Sequence, residues 1–184
     1  MKKTLLLISF ISLIAFSSQA QDFRGPDKSS MDMAYYPDNF AHDRKGSDEA
    51  LARVIYSRPK KNDREIFGKL ESYGKVWRTG ANENTEIKLY KDATVAGKKL
   101  KAGTYSLFTI PGESEWTIIF SSALDYWGAY SYKEDKDVLR VTVPSKKVAD
   151  TIEYFSIVFA KSGANGATMS LGWDKTVVDV PFTF

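Results

Sequence analysis

The chain has 184 residues, with 26 basic against 23 acidic side chains, a formal charge of +3, no cysteine and one histidine. The length fits one domain with a full core; the missing thiols exclude disulfides, thiolate metal sites and thiol nucleophiles, and the lone His42 excludes a histidine-based zinc site. The small net charge, with no basic run interleaved with aromatics, argues against a nucleic-acid partner.

Lys2 and Lys3 precede an apolar run from Leu5 to Phe16, and Ser18-Gln19-Ala20 places small residues where a signal peptidase reads them. Residues 1–20 are therefore expected to be a secretory signal peptide cleaved after Ala20, giving an exported protein, periplasmic or secreted, whose charge is near +1. The run is shorter than the ~20 residues a spanning helix needs, so no membrane span is expected in the mature protein. No cysteine follows the small residues, which excludes a lipoprotein anchor.

Residues 21–49 form a polar N-terminal segment in which "SSMDMAYYP" (29–37) reads as an edge strand ended by Pro37. From residue 50 to 184 the pattern is that of one β-domain. "LARVIYS" (51–57) alternates, and Pro59 stops it. "NDREIFGKL" carries Asp63 as an N-cap and Gly68 as a stop, which predicts one or two helical turns. Strands are then expected at "TEIKLYK" (85–91), in a hairpin around Ala96-Gly97, and at "TYSLFTI" (104–110), which is apolar on both faces and so central. Further strands are expected at "EWTIIFS" (115–121), "DVLRVTVP" (137–144), "TIEYFSIVFA" (151–160), "ATMSLGW" (167–173) and "TVVDVPFTF" (176–184). Nine or ten strands at hairpin spacing predict an all-β fold, an antiparallel β-sandwich of jelly-roll type with a long loop (58–84); a closed barrel is the alternative. Leu107, Ile118, Phe120, Val141, Phe155 and Leu171 are its expected core.

Most of the chemistry sits in the 27-residue connection from Arg58 to Asn84, which carries seven basic against four acidic residues. Compact domains seldom keep a connection that long without a reason. In "YGKVWRTGANENTE" (73–86), Trp77 offers a flat face for a sugar ring, while Arg58, Arg64 and Arg78 offer guanidinium forks for polar or anionic groups. Gly80 lets the backbone approach a ligand, and Thr79, Asn82 and Glu83 supply hydrogen-bonding groups. Trp127 and Tyr130 in the aromatic segment "YWGAYSY" (126–132) wall the same pocket. The expected ligand is a small polar molecule or a glycan, with no cofactor and no metal. Two other readings stand beside this one. Glu83 is the acid or base of a carbohydrate-active hydrolase or isomerase in the first, although no catalytic set is identifiable. In the second, Trp77 plugs the end of the sandwich, Arg78 and Glu83 pair, and the motif is a structural clasp. Oligomeric state is not encoded in these patterns.

The strings "SSMDMAYYP", "ARVIYSRP", "REIFG", "YGKVWRTGANENTEI", "GKKLKAGTYSLFTIPGESEWTIIF", "WGAY" and "DVLRVTVP" resemble the secreted bacterial proteins of domain-of-unknown-function family 2911. The resemblance covers about residues 29–184, and "WRTGANE" is its most specific string. Some similar sequences place Ser-Pro where this one has Ser29-Ser30. The resemblance implies an exported β-rich protein and carries no activity with it. Its motif overlaps Arg58, Arg64, Trp77–Gly80, Asn82 and Glu83.

Overall fold

The computed structural model describes residues 22–184; the expected signal peptide lies outside the described residues. Nine strands follow in chain order: β1 (Met31–Tyr36), β2 (Ala52–Ser57), β3 (Thr85–Leu89), β4 (Ala93–Val95), β5 (Lys98–Leu100), β6 (Gly103–Ile110), β7 (Glu115–Ser121), β8 (Asp137–Ser162) and β9 (Gly166–Thr183). The sheet order is β1-β2-β3-β6-β7-β8-β9-β4-β5, and neighbours pair antiparallel. The fold is thus all-β and sandwich-like, with β1 at one edge and β6 in the interior of the sheet. The β4–β5 hairpin turns through Ala96 and Gly97, both at positive φ (44° and 82°), as a two-residue turn between twisted strands requires.

Two strands run longer than local alternation indicates. The segments expected at 137–144 and 151–160 are one strand, β8, and those at 167–173 and 176–184 are one strand, β9. The polar stretch after Pro144 looks like a break, but its backbone pairs with β9 through Ser145–Val178, Lys146–Val177 and Lys147–Thr176. Register shifts on either side of Ile152 bend the strand without ending it. The first part of β8 pairs with β7 and the rest with β9, so the sheet turns over on itself and its two halves face each other.

The inner positions of both halves form one buried cluster, including Val54, Ile87, Leu107, Ile118 and Phe120 on one side and Phe155, Met169, Leu171 and Phe182 on the other. All six expected core residues lie within it, each no more than 4% exposed. The front half is covered on its outside too. Phe108 and Ile119 are fully buried there, and Tyr132 from the segment after β7 packs edge-on against Phe108 at 5.2 Å.

The helical turns expected after Asp63 do not form. The only helices among the described residues are the four-residue α1 (Phe40–Asp43) and a 3₁₀ turn at Glu134–Lys136. Ile66 and Phe67 are adjacent and both buried, which ties the segment to the core in a way that a surface helix cannot follow. Instead the N–H of Gly68 donates to the Glu71 carbonyl and the N–H of Glu71 donates to the Ile66 carbonyl, both at 2.9 Å, closing a tight loop.

Candidate functional site

The long connection leaves β2 and crosses to the opposite layer. The N–H groups of Phe155 and Lys61 donate to the carbonyls of Pro59 (3.0 Å) and Glu153 (2.7 Å). Arg58 completes the seam. Its Nε donates to the Phe155 carbonyl at 3.2 Å, Nη2 to Ser156 Oγ at 2.9 Å and Nη1 to Asp32 Oδ2 at 2.8 Å. The fork therefore joins β1, β2 and β8, with three of its five N–H donors spent on protein. Arg64 is exposed and folds back to donate to the Lys60 and Lys61 carbonyls.

Trp77 is a core residue, 2% exposed. Its backbone exchanges hydrogen bonds with Thr109, at 2.7 Å and 3.0 Å, beyond the point where β3 stops pairing with β6. That pairing gives Trp77 the inward direction of Leu107. Its ring meets four others: Phe67 at 5.8 Å, Trp116 at 6.1 Å, Phe155 at 5.1 Å and Trp173, stacked, at 5.9 Å. The indole N–H donates to the Gly80 carbonyl at 3.1 Å. No face is left for a sugar. Thr79 is fully buried at φ 59°, a left-handed conformation that costs a β-branched residue about 1–3 kcal/mol. The strain is held in place because Thr79 Oγ1 bonds to Thr109 Oγ1 at 3.1 Å while its carbonyl accepts from Thr85 Oγ1 at 2.6 Å. Gly80 makes the close approach expected of it, but to protein: a Cβ there would lie 3.0 Å from the Ser57 carbonyl. Trp77, Thr79 and Gly80 are a clasp.

Arg78 does not pair with Glu83. Its Nε is buried without a partner, and the carboxylate that feels its charge is Glu71. Burial pushes the Glu71 carboxyl up to about 7 against the pull of Arg78 and Arg64.

The second half of the motif faces outward. The N–H of Asn84 donates to the Tyr126 carbonyl at 2.9 Å, and the N–H of Gly128 donates to the Asn82 carbonyl at 2.8 Å. These two bonds flank Glu83 and Trp127 as an antiparallel pair, which places their side chains next to each other on one face. Asn84 locks the arrangement: its Oδ1 accepts from the Tyr126 N–H at 2.7 Å and its Nδ2 donates to Ser106 Oγ at 2.7 Å. Asn82 turns at φ 59° and its Nδ2 donates to Asp27 Oδ1 at 3.0 Å. Trp127 stands 63% exposed over a cleft of about 420 Å³. The floor is the outer face of β1 and β2, with Met31, Ile55 and Ser57; the walls carry Glu86, Asp125 and Tyr126. Tyr130 is 85% exposed and outside this lining; its ring packs 2.8 Å from where a Gly128 Cβ would stand.

Of the nine residues singled out in the sequence, the fold brings only Glu83 and Trp127 to one concavity. Ser57, Glu86 and Asp125 were missed. Ser57 had a readable signal, since alternation in β2 puts Arg53, Ile55 and Ser57 on the face opposite the core. Asp125, in an irregular loop, had none. Among the described residues no three acidic or histidine side chains gather closely enough to hold a metal ion, and no helix is long and apolar enough to cross a membrane. A family model described as Protein of unknown function (DUF2911) matches residues 39–182. No curated protein and no solved structure matches the chain.

Proposed function

The chain belongs to this family, and we propose that it is an exported β-sandwich protein that binds a small polar ligand, a glycan fragment in the first instance, in the cleft between Glu83 and Trp127. The observation that carries this reading is the exposed indole of Trp127, held beside a carboxylate over a floor of Met31, Ile55 and Ser57. Soluble proteins cover most of their tryptophan surface, and a flat ring left open beside hydrogen-bonding groups is the arrangement that takes a sugar ring on its face. A clasp-only reading accounts for Trp77 and Thr79 and leaves Trp127 without a role. Glu71, the carboxyl pushed up to about 7, does not line the cleft, which removes its support from a hydrolase reading.

Trp127 also reports on the test. Trp77, Trp116 and Trp173 are all at most 2% exposed, so acrylamide quenching of the protein fluorescence reads Trp127. An oligosaccharide that binds should protect the fluorescence; variants at Trp127 lose that reporter, so their binding is measured by titration calorimetry. Trp127→Ala should weaken binding by about tenfold or more, the loss of a stacking face, with an unchanged melting temperature. Quenching that no oligosaccharide alters would contradict the reading. Export has its own check: the intact mass of protein recovered outside the cytoplasm should correspond to a chain beginning at Gln21, and a mass that retains Met1–Ala20 would contradict it.

A further inference from the structure

We propose that the ligand of the Glu83–Trp127 cleft carries a protonated amine set among Glu83, Glu86 and Asp125; this rests on the reading of the cleft as a binding site. The cleft lining contains these three carboxylates and no lysine or arginine. Glu86 is ion-paired with Arg53 from outside the lining at 3.8 Å, which leaves Glu83 and Asp125 as the two uncompensated carboxylates. Glu83 and Asp125 have no ion-pair partner among the described residues, and both are exposed. A field of one sign in a partly enclosed cleft repels anions and concentrates cations. Among the described residues no three of these carboxylates gather closely enough to hold a metal ion.

Two independent observations point to an occupant. Ser57 is only 2% exposed, yet it lines the floor of the cleft, and its hydroxyl makes no hydrogen bond with any described residue. The Ser57 hydroxyl is not among the fully enclosed unpaired atoms, so the little surface this residue keeps reaches its oxygen, which is free to accept from an N–H or donate to a sugar hydroxyl in the cleft. Trp127 and Tyr126 add ring faces on the same cleft. A neutral sugar offers the ring a face and the carboxylates hydroxyl donors, whereas an ammonium adds a charge-assisted bond to the carboxylates and a cation–π contact to the ring. The ligand chemistry is therefore an ammonium on a short backbone, and the two sources of it are an amino sugar and an aliphatic polyamine.

The test is a quenching titration at pH 5.5 with three probes: the β-1,4-linked glucosamine tetramer, its fully N-acetylated counterpart and spermidine. The glucosamine tetramer should bind at least tenfold more tightly than the acetylated one. That advantage should shrink in 0.5 M NaCl and be lost in Glu83→Gln and Asp125→Asn, both surface changes whose folding is verified by an unchanged melting temperature. Ser57→Ala should weaken the amine probes further. Spermidine binding as tightly as the amino sugar assigns the site to polyamines, and weaker binding assigns it to amino sugars; either outcome supports the ammonium. Equal, salt-independent affinity for the acetylated and free tetramers overturns the inference while leaving the cleft as a glycan site. Failure of every amine probe also overturns it, and only the added failure of neutral glycans would take the parent reading with it.

Discussion

Trp77→Ala should lower the unfolding free energy by about 3–5 kcal/mol, the range for removing a buried aromatic side chain. The residue is 2% exposed and its ring meets four other aromatic rings between the two halves of the sheet. Deleting it opens a cavity lined by Phe67, Trp116, Phe155 and Trp173, whose positions are fixed by separate elements and cannot close over the gap. It also leaves the Gly80 carbonyl without the indole donor. A domain of this size has about 5–15 kcal/mol in total, so the loss is a large share of it. The midpoint of urea unfolding should fall with little change in slope. Trp77→Phe should lose less, keeping a ring while losing the N–H. A midpoint within experimental error of the parent for Trp77→Ala would mean that the ring is not where the clasp places it.

The second large effect depends on pH. The Glu71 carboxyl is held at about 7 in the folded state by burial, against 4.5 for the free side chain. Below the lower value it is neutral in both states and the fold carries no penalty. Between the two values the unfolded chain releases the proton while the folded protein keeps it, so stability falls as pH rises through that window and levels off above about 7. Because the side chain is only half-buried, the expected fall is about 1–2 kcal/mol rather than the full value of the shift. Glu71→Gln keeps the shape and removes the titration. It should be about that much more stable than the parent at pH 8, and the difference should vanish at pH 4. Urea unfolding of both proteins at the two pH values measures this. A parent that is as stable as Glu71→Gln at pH 8 would show that Arg78 and Arg64 already compensate the charge.

These two effects explain why the site was only half legible. Period-two alternation makes β2 and β3 readable from residues alone, and apolar runs bounded by turn residues do the same for β6 and β7, which hold Leu107 and Ile118. The continuity of β8 is not readable, because what carries it past Pro144 is pairing with β9 some thirty residues away. The same limit applies to the tryptophans. Nothing local separates Trp77 from Trp127. Trp77 is inside because its backbone pairs with Thr109, and Trp127 is outside because its backbone pairs with Glu83. Both partners are distant in sequence. "WRTGANE" is readable as a place of special structure, and the fold divides it into a clasp from Trp77 to Gly80 and a rim at Asn82–Glu83. Arg58 illustrates a further reason. A guanidinium beside a strand end is chemically suited to a ligand, and equally suited to the Phe155 carbonyl of the opposite layer and the Asp32 carboxylate of the neighbouring strand.

The division of the motif into clasp and rim is tested most directly by mapping backbone amide shifts by NMR during titration with a panel of oligosaccharides, the free and N-acetylated glucosamine tetramers among them. The expected result is that shifts at saturation gather at Glu83–Glu86, Asp125–Gly128, Met31 and Ser57, with Trp77–Gly80 and the Arg58 seam unmoved. Shifts centred on Arg78 and Glu71 or on Arg58, or a panel that moves no amide at all, would contradict it.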